Sequence, residues 1–324
     1  MSDFKIPPIS MLLGSTIGNF FRTIRYGRVA PKYYHKVVLT SFICIIASPF
    51  HLWERYKDRR LNGKEVSPLF ILGHWRSGTT FLHNLLCRDP NTSYLTTFQS
   101  VFPNNMHSKW LFKPFMKWKM PDKRPSDNVM LDVNYPQEDD FALASMLPSF
   151  YQLFYFPEAY NALFEETVLF KEKNEKEVEE WKNTYKKLII KAKANIGGKN
   201  VLLKNPVNTG RINKLLETFP EAKFIHIYRN PVIVYLSTKK FFLELFPTLQ
   251  LQKSTPEQIT EMIFDLYAKL MQAYFSQKDL IPRDQLIEIR FESFEEDPIK
   301  YLEEIYQQLK IEDWEKARPY FKEY

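Results

Sequence analysis

The chain has 324 residues, 44% of them hydrophobic and 26% charged, which is enough apolar material for a sizeable core and fits a globular class. With 45 basic against 38 acidic residues the net charge is +7. That excess is too modest to require nucleic acid as a partner and suits an anionic small ligand or an anionic membrane surface. Two cysteines, Cys44 and Cys87, exclude a disulfide framework and a thiolate zinc site, and a reducing, cytoplasmic compartment is the default expectation.

The first thirty residues lack a long apolar run after a basic start, so no signal peptide is expected. Val37 to Phe50 is almost wholly apolar. Arg22, Arg25, Arg28, Lys32 and Lys36 precede it, and Arg55, Lys57, Arg59 and Arg60 follow. It is shorter than the roughly 20 residues a membrane helix needs. It reads either as a buried helix or as a membrane-surface anchor, giving peripheral membrane contact. Residues 1–66 are thus expected to form a helical N-terminal extension.

The texture changes at Ser67. Pro68 to Leu72 is a short apolar run closed by Gly73 and reads as a buried strand. A helix is expected over Phe81 to Cys87. Residues 90–170 are rich in proline and aromatics and read as short helices and loops. Lys171 to Ile196 carries Val178, Trp181, Tyr185, Leu188, Ile189 and Ala192 at helical spacing, stopped by Gly197-Gly198. Then come strand Asn200 to Lys204, helix Arg211 to Thr218, strand Lys223 to Tyr228 and a helix from Pro231. Strand Leu286 to Phe291 and helix Pro298 to Leu309 close the pattern. Alternation of this kind predicts an α/β domain over 67–324 with a parallel central sheet flanked by helices.

Gly73-His74-Trp75-Arg76-Ser77-Gly78-Thr79-Thr80 lies between the first predicted strand and helix. Two glycines five apart let a loop curl with its N–H groups inward, and a helix N-terminus adds donors and a favourable dipole; together they hold a phosphate. The common phosphate loop carries a lysine where this chain has Thr79, which argues against a nucleoside triphosphatase. Arg76 stands instead before the Ser-Gly pair, suited to the charge that grows on a leaving phosphate. A second anion site is predicted where Arg229 ends a strand and Ser237 follows eight residues later, about two turns into the next helix. That is the sheet edge at which open α/β folds bind ligands, and a guanidinium suits a terminal phosphate.

The loop resembles the 5′-phosphosulfate loop of the sulfotransferase superfamily that uses 3′-phosphoadenosine 5′-phosphosulfate (PAPS), whose motif runs Lys or Arg, Ser, Gly, Thr, then Thr or Ser. The stretch from Phe70 to Pro90 resembles the bacterial branch. Arg229, Asn230 and Ser237 stand at the family's spacing for the 3′-phosphate site. Leu203-Lys204-Asn205-Pro206 and the late Ile287 to Pro298 stretch are similar to the family as well, and the resemblance covers Ser67 to Leu309 in patches. It implies the P-loop-like sulfotransferase fold and PAPS as co-substrate. It implies cofactor binding by Arg76, Ser77, Gly78, Thr79, Thr80, Phe81, Arg229 and Ser237. Lys204 would lie near the sulfuryl group, Arg76 would act at the bridging oxygen, and no metal is required.

No base carries over from the family. The Lys-x-His histidine is missing from Lys204 to Asn208, and the glutamate of the tyrosylprotein branch has no counterpart at Thr97-Phe98-Gln99. Pro136-Gln137-Glu138-Asp139-Asp140 reads as a helix start whose acids answer the dipole. Within it Glu138, with Asp139 behind, is the candidate general base; His107 and His74 are the imidazole alternatives. Phe98, Phe102, Trp110, Phe112, Phe115, Trp118 and Phe150 to Phe156 fall between the two cofactor motifs. They are expected to line a pocket for a small hydrophobic alcohol: lipid or steroid first, phenol second, carbohydrate third. The competing readings are a phosphate-loop small-molecule kinase and a membrane-attached nucleotide-binding protein without catalysis.

Overall fold

The computed structural model describes residues 10–61, 65–120 and 132–323; part of the aromatic segment, 121–131, lies outside them. The first α-helices among the described residues are α1 (Ile17–Ile24) and α2 (Tyr34–Asp58). The sheet starts with β1 (Pro68–Leu72), followed by α3 (Thr79–Leu86) and β2 (Thr92–Tyr94). Next come α4 (Thr97–Val101), α5 (Lys109–Lys119), α6 (Asp139–Ala144), α7 (Tyr160–Thr167) and α8 (Glu175–Ile196). Then β3 (Asn200–Lys204), α9 (Ile212–Thr218), β4 (Lys223–Tyr228), α10 (Pro231–Leu249) and α11 (Pro256–Gln277) follow. The chain ends with β5 (Leu286–Arg290), α12 (Phe291–Glu296), α13 (Pro298–Gln308) and α14 (Trp314–Lys322).

The described residues form two compact units. One holds 10–61, 96–120, 132–188 and 239–263; the other holds 65–95, 189–238 and 264–323. The second unit contains a five-stranded sheet in the order β2-β3-β1-β4-β5, and every pairing is parallel. All five residues of β1 are buried, as expected of a central strand covered on both faces. On one face, Leu69, Ile71, Leu202, Ile225 and Ile227 pack with Leu82, Leu85 and Leu86 of α3 and with Phe294, Leu302 and Ile305 of α12 and α13. On the other, Phe70 stacks on Phe224 and meets Phe219 after α9. The chain leaves β1 towards β2 through α3 and leaves β3 towards β4 through α9, so neighbouring strands send their connections to opposite faces. The ends of β1 and β3 therefore flank the crevice where such sheets bind ligands.

The three strands expected over 68–72, 200–204 and 223–228 have those bounds. The last strand stops one residue early because Phe291 starts α12. The edge strand β2 was not expected: Thr92-Ser93-Tyr94 has no alternating apolar pattern and, among the described residues, pairs with β3 alone. The helix expected from Phe81 begins at Thr79, capped by Gly78. The helix expected from Lys171 begins at Glu175. Phe170 and Glu172 have positive φ, and the Asn174 side chain accepts from Glu177 N, capping the helix so that it starts four residues later than expected.

In the first unit, α4 is opened by a capping box between Thr96 and Gln99. Phe98, Val101 and Phe102 pack with Leu13, Val133 and Phe141. Helix α2 is turned inside out. Its buried residues are Lys36, Thr40, Cys44, Ala47, His51 and Glu54, at steps of three and four, so the inward stripe is mostly polar. Phe42, Ile45 and Ile46 on its other side are more than half exposed. This removes the buried-helix reading of 37–50, because an ordinary surface helix buries its apolar stripe.

Candidate active site

The loop between β1 and α3 contains three left-handed backbone positions: Gly73 at φ +141°, Arg76 at φ +66° and Gly78 at φ +99°. Repeated reversal of backbone handedness makes a concavity of the kind that receives phosphates. The glycines are there for space as well as conformation. A Cβ on Gly73 would lie 2.4 Å from Ile227 O, and one on Gly78 would lie 2.0 Å from the Phe291 ring. Ser77 turns its hydroxyl back to His74 O at 2.8 Å, and Gly73 N donates to Thr209 Oγ1 at 2.8 Å. Among the described residues no side chain caps the N-terminus of α3, and the opening N–H groups of a helix point towards its N-terminus, here the loop.

Cationic side chains converge on this loop. Lys204 ends β3, pairs in register with Ile71 of β1 and points Nζ at Thr80 Oγ1, 3.4 Å away. Its charge reaches the neighbouring groups. The buried His83 imidazole is held well below its usual pKa by burial and then by Lys204. The Cys87 thiol is pushed well above its usual value by burial, with Lys204 pulling the other way. Arg76 Nε donates to Ser237 Oγ at 3.0 Å. The loop residue expected at the phosphosulfate and the α10 serine expected at the 3′-phosphate are therefore brought together.

Arg229 follows the end of β4. Its guanidinium sits 4.3 Å from the centre of the Phe291 ring. Among the described residues its buried Nε has no hydrogen-bond acceptor, which fits a site for an anion. Asn230 holds the turn into α10: its side chain accepts from Val232 N at 2.9 Å and its N–H donates to Glu292 at 3.0 Å. Thr79 is buried, and Phe81 packs its ring against Phe294. Thr209 and Phe291 are structural neighbours of the loop that the sequence did not single out. Thr209 anchors Gly73, while Phe291 sits against Gly78 on one side and Arg229 on the other. Neither stands in a recognisable spacing with the motif it supports.

Of the base candidates, Glu138, Asp139 and His107 lie in the other unit. Glu138 is the N-cap of α6 and is half-buried. Asp139 is fully buried and accepts from the Tyr185 hydroxyl. Asp140 is also buried and accepts from Tyr151 N at 2.7 Å and Ser149 Oγ at 3.2 Å. The acids expected to answer a helix dipole thus have specific partners, and of the three only Glu138 keeps partial exposure. His107 lies at the contact of α2 with α5, Nε2 3.5 Å from Asp58 and its ring near Trp53. Ligand atoms of Glu54, Asp58 and His107 lie within 4.8 Å of one another, but Glu54 is engaged in accepting the N–H groups of Met106 and His107. His74, back in the sheet unit, donates Nδ1–H to Trp75 O at 2.9 Å. Burial lowers its pKa to about 4, which makes it a weak base.

The aromatics expected to line an acceptor pocket divide in two. Phe98, Phe102, Phe150, Phe154 and Phe156 are buried in the first unit's own core, whereas Trp110, Phe115 and Trp118 are exposed. The pocket expectation fails for the exposed three.

The model of the Sulfotransferase family matches residues 68–316. Over 295 residues the chain is 32% identical to proteins of Mycobacterium tuberculosis and Mycobacterium bovis named omega-hydroxy-beta-dihydromenaquinone-9 sulfotransferase Stf3, covering 90% of this chain and 76% of each relative. Its fold is similar to crystal structures of two sulfotransferases. STF1 from Mycobacterium tuberculosis gives a TM-score of 0.74 at 16% identity, over 96% of this chain and 88% of that one. STF9 from Mycobacterium avium gives 0.64 at 15% identity, over 99% and 88%. With the family model matching most of the chain and relatives at 32% identity along 90% of it, this chain belongs to the sulfotransferase family, enzymes whose sulfuryl donor is PAPS.

Proposed function

We propose that this sulfotransferase acts on the hydroxyl of a hydrophobic, lipid-like alcohol. The acceptor class is supported by the Mycobacterium relatives, which are named as sulfotransferases of a hydroxylated menaquinone. The donor side rests on one observation: Lys204, Arg76 and the β1–α3 loop meet at the sheet's crevice, with Lys204 on Thr80 and Arg76 on Ser237. PAPS supplies an activated sulfuryl group. The acceptor oxygen forms a bond to sulfur, the bond from sulfur to the phosphate oxygen breaks, and 3′,5′-adenosine bisphosphate leaves. Lys204 offsets charge on the sulfonate oxygens. Arg76 and the opening N–H groups of α3 answer the charge that grows on the departing phosphate. Arg229, stacked on Phe291, and Ser237 hold the 3′-phosphate. Glu138 takes the acceptor proton. Arginine, lysine and backbone donors carry the charge without a metal, and turnover is expected to survive a chelator. The compartment expected is the cytoplasm.

Calorimetric titration with 3′,5′-adenosine bisphosphate tests the donor side. Tight, magnesium-independent binding is expected, and preference for ATP with magnesium would move the phosphate-loop kinase to first place. Arg229→Ala is expected to weaken the bisphosphate by about 10- to 100-fold, the scale of a charge-assisted hydrogen bond. It should hardly change affinity for the analogue lacking the 3′-phosphate, and equal losses for both ligands would remove the role. Glu138→Gln is expected to lower kcat by about 10²- to 10⁴-fold with unchanged bisphosphate affinity. Undiminished turnover would eliminate Glu138 as the base. An acceptor screen should favour long hydroxylated lipids and quinones over steroids, phenols and sugars.

A further inference from the structure

Helix α2 presents to solvent what helices usually bury. Val38, Phe42, Ile45, Ile46, Leu52 and Tyr56 are each more than half exposed. Helix α5 joins this surface through an edge contact of Phe112 with Phe50 and adds Trp110 and Trp118, 69% and 73% exposed. An exposed apolar face of two helices is unusual for a soluble monomer and marks an interaction surface.

The inward stripe shows how the face is used. Lys36 donates to Thr248 O at 3.2 Å, Thr40 accepts from Ser10 N at 2.9 Å, and His51 meets Asn105 at 3.2 Å. Glu54 accepts two backbone N–H groups. Moving α2 into a hydrocarbon core would strip these polar groups of their partners, at a cost of several kcal/mol for each charge left unpaired. The helix is long enough and apolar enough to cross a membrane, yet its polar inner stripe ties it along the protein.

Charge selects the partner. Residues 10–61 contain nine Lys and Arg against two acids, Glu54 and Asp58. Glu54 is buried and Asp58 lies beside His107. Helix α5 holds four lysines and no acid. Exposed Arg22, Arg25, Arg28 and Lys32 lie before the apolar face of α2, and Arg55, Arg59 and Arg60 lie at its end. Tryptophan and tyrosine between lysine and arginine is the composition of a membrane-interface belt. A second copy of the chain would bring the same cationic rim against itself, which is unfavourable.

We propose that α2 and α5 seat the protein on an anionic lipid bilayer, with α2 lying in the interface plane and its apolar side in the acyl boundary. Seating would bring the enzyme to the surface from which a lipid alcohol is drawn, but the docking itself does not depend on the acceptor reading.

Flotation of the purified full-length protein with preformed vesicles tests this, using phosphatidylcholine alone and phosphatidylcholine mixed with phosphatidylglycerol. Partitioning is expected to be at least about tenfold stronger onto the anionic vesicles and to weaken as salt is raised. The double variant Ile45→Glu, Ile46→Glu should lose about tenfold or more on both compositions. Arg59→Glu with Arg60→Glu should lose only the anionic preference. Affinity for 3′,5′-adenosine bisphosphate and the unfolding temperature should stay unchanged in each variant, which separates lost docking from lost folding and from any failure of the catalytic reading. Wild-type protein that stays off anionic vesicles, or equal flotation of wild type and the Ile45/Ile46 variant, would overturn the proposal. So would a dimer in light scattering that the same variant dissociates, since a second copy would then cover the face.

Discussion

Replacing Lys204 by methionine is expected to lower kcat by about two to three orders of magnitude, the loss seen when one preorganised donor to transition-state charge is removed. Lys204 is 4% exposed and ends β3, so strand pairing fixes its backbone and burial, with the contact to Thr80, restricts where its ammonium can sit. Such a group needs no reorganisation when charge shifts during transfer. Methionine keeps most of the stem's volume and removes the charge, so folding should persist. Bisphosphate affinity is expected to change far less than kcat, because the interaction is proposed to strengthen only in transfer. Steady-state kinetics beside calorimetry on the same preparation decides it. If kcat falls less than about threefold, Lys204 is a strand-end packing residue and the electrostatic role belongs to Arg76 alone.

Gly78→Ala is expected to be equally damaging through geometry. The new methyl would have to occupy space 2.0 Å from the Phe291 ring, at a residue with φ +99°. The backbone conformation alone costs a non-glycine residue about 1–3 kcal/mol, and relief of the overlap must displace Phe291. That ring carries the Arg229 guanidinium, so one methyl group disturbs both anion sites. Bisphosphate affinity should fall by about 100-fold or more, together with the unfolding temperature. A cycle of Gly78→Ala with Phe291→Ala should show a coupling of at least about 1 kcal/mol, as expected for residues in contact. Additive effects would mean that Phe291 does not link the loop to Arg229.

The residues proposed to hold the donor could be picked out along the chain because each part is local. Gly73 to Thr80 is one continuous turn between strand and helix, and Arg229 and Ser237 are one strand end and the helix after it. Their residue types and spacings state the backbone conformation and the charge without any distant contact. The edge strand β2 was not legible, because Thr92-Ser93-Tyr94 is a strand only by pairing with Asn200 to Leu202. Phe291 and Thr209 were equally hidden: each supports the loop from more than a hundred residues away.

By itself, then, the sequence determined the glycine loop between β1 and α3, the three core strands, and the alternation that makes the sheet parallel. Burial runs and glycine spacing are properties of neighbouring residues, and short-range sterics translate them directly into structure. The tertiary structure alone decided the direction in which α2 faces. Its apolar run is compatible with burial or exposure, and the outcome depends on which stripe finds partners. Lys36, Thr40, His51 and Glu54 find theirs at Thr248, Ser10, Asn105 and the Met106–His107 turn. Satisfying those buried polar groups leaves the apolar stripe outside.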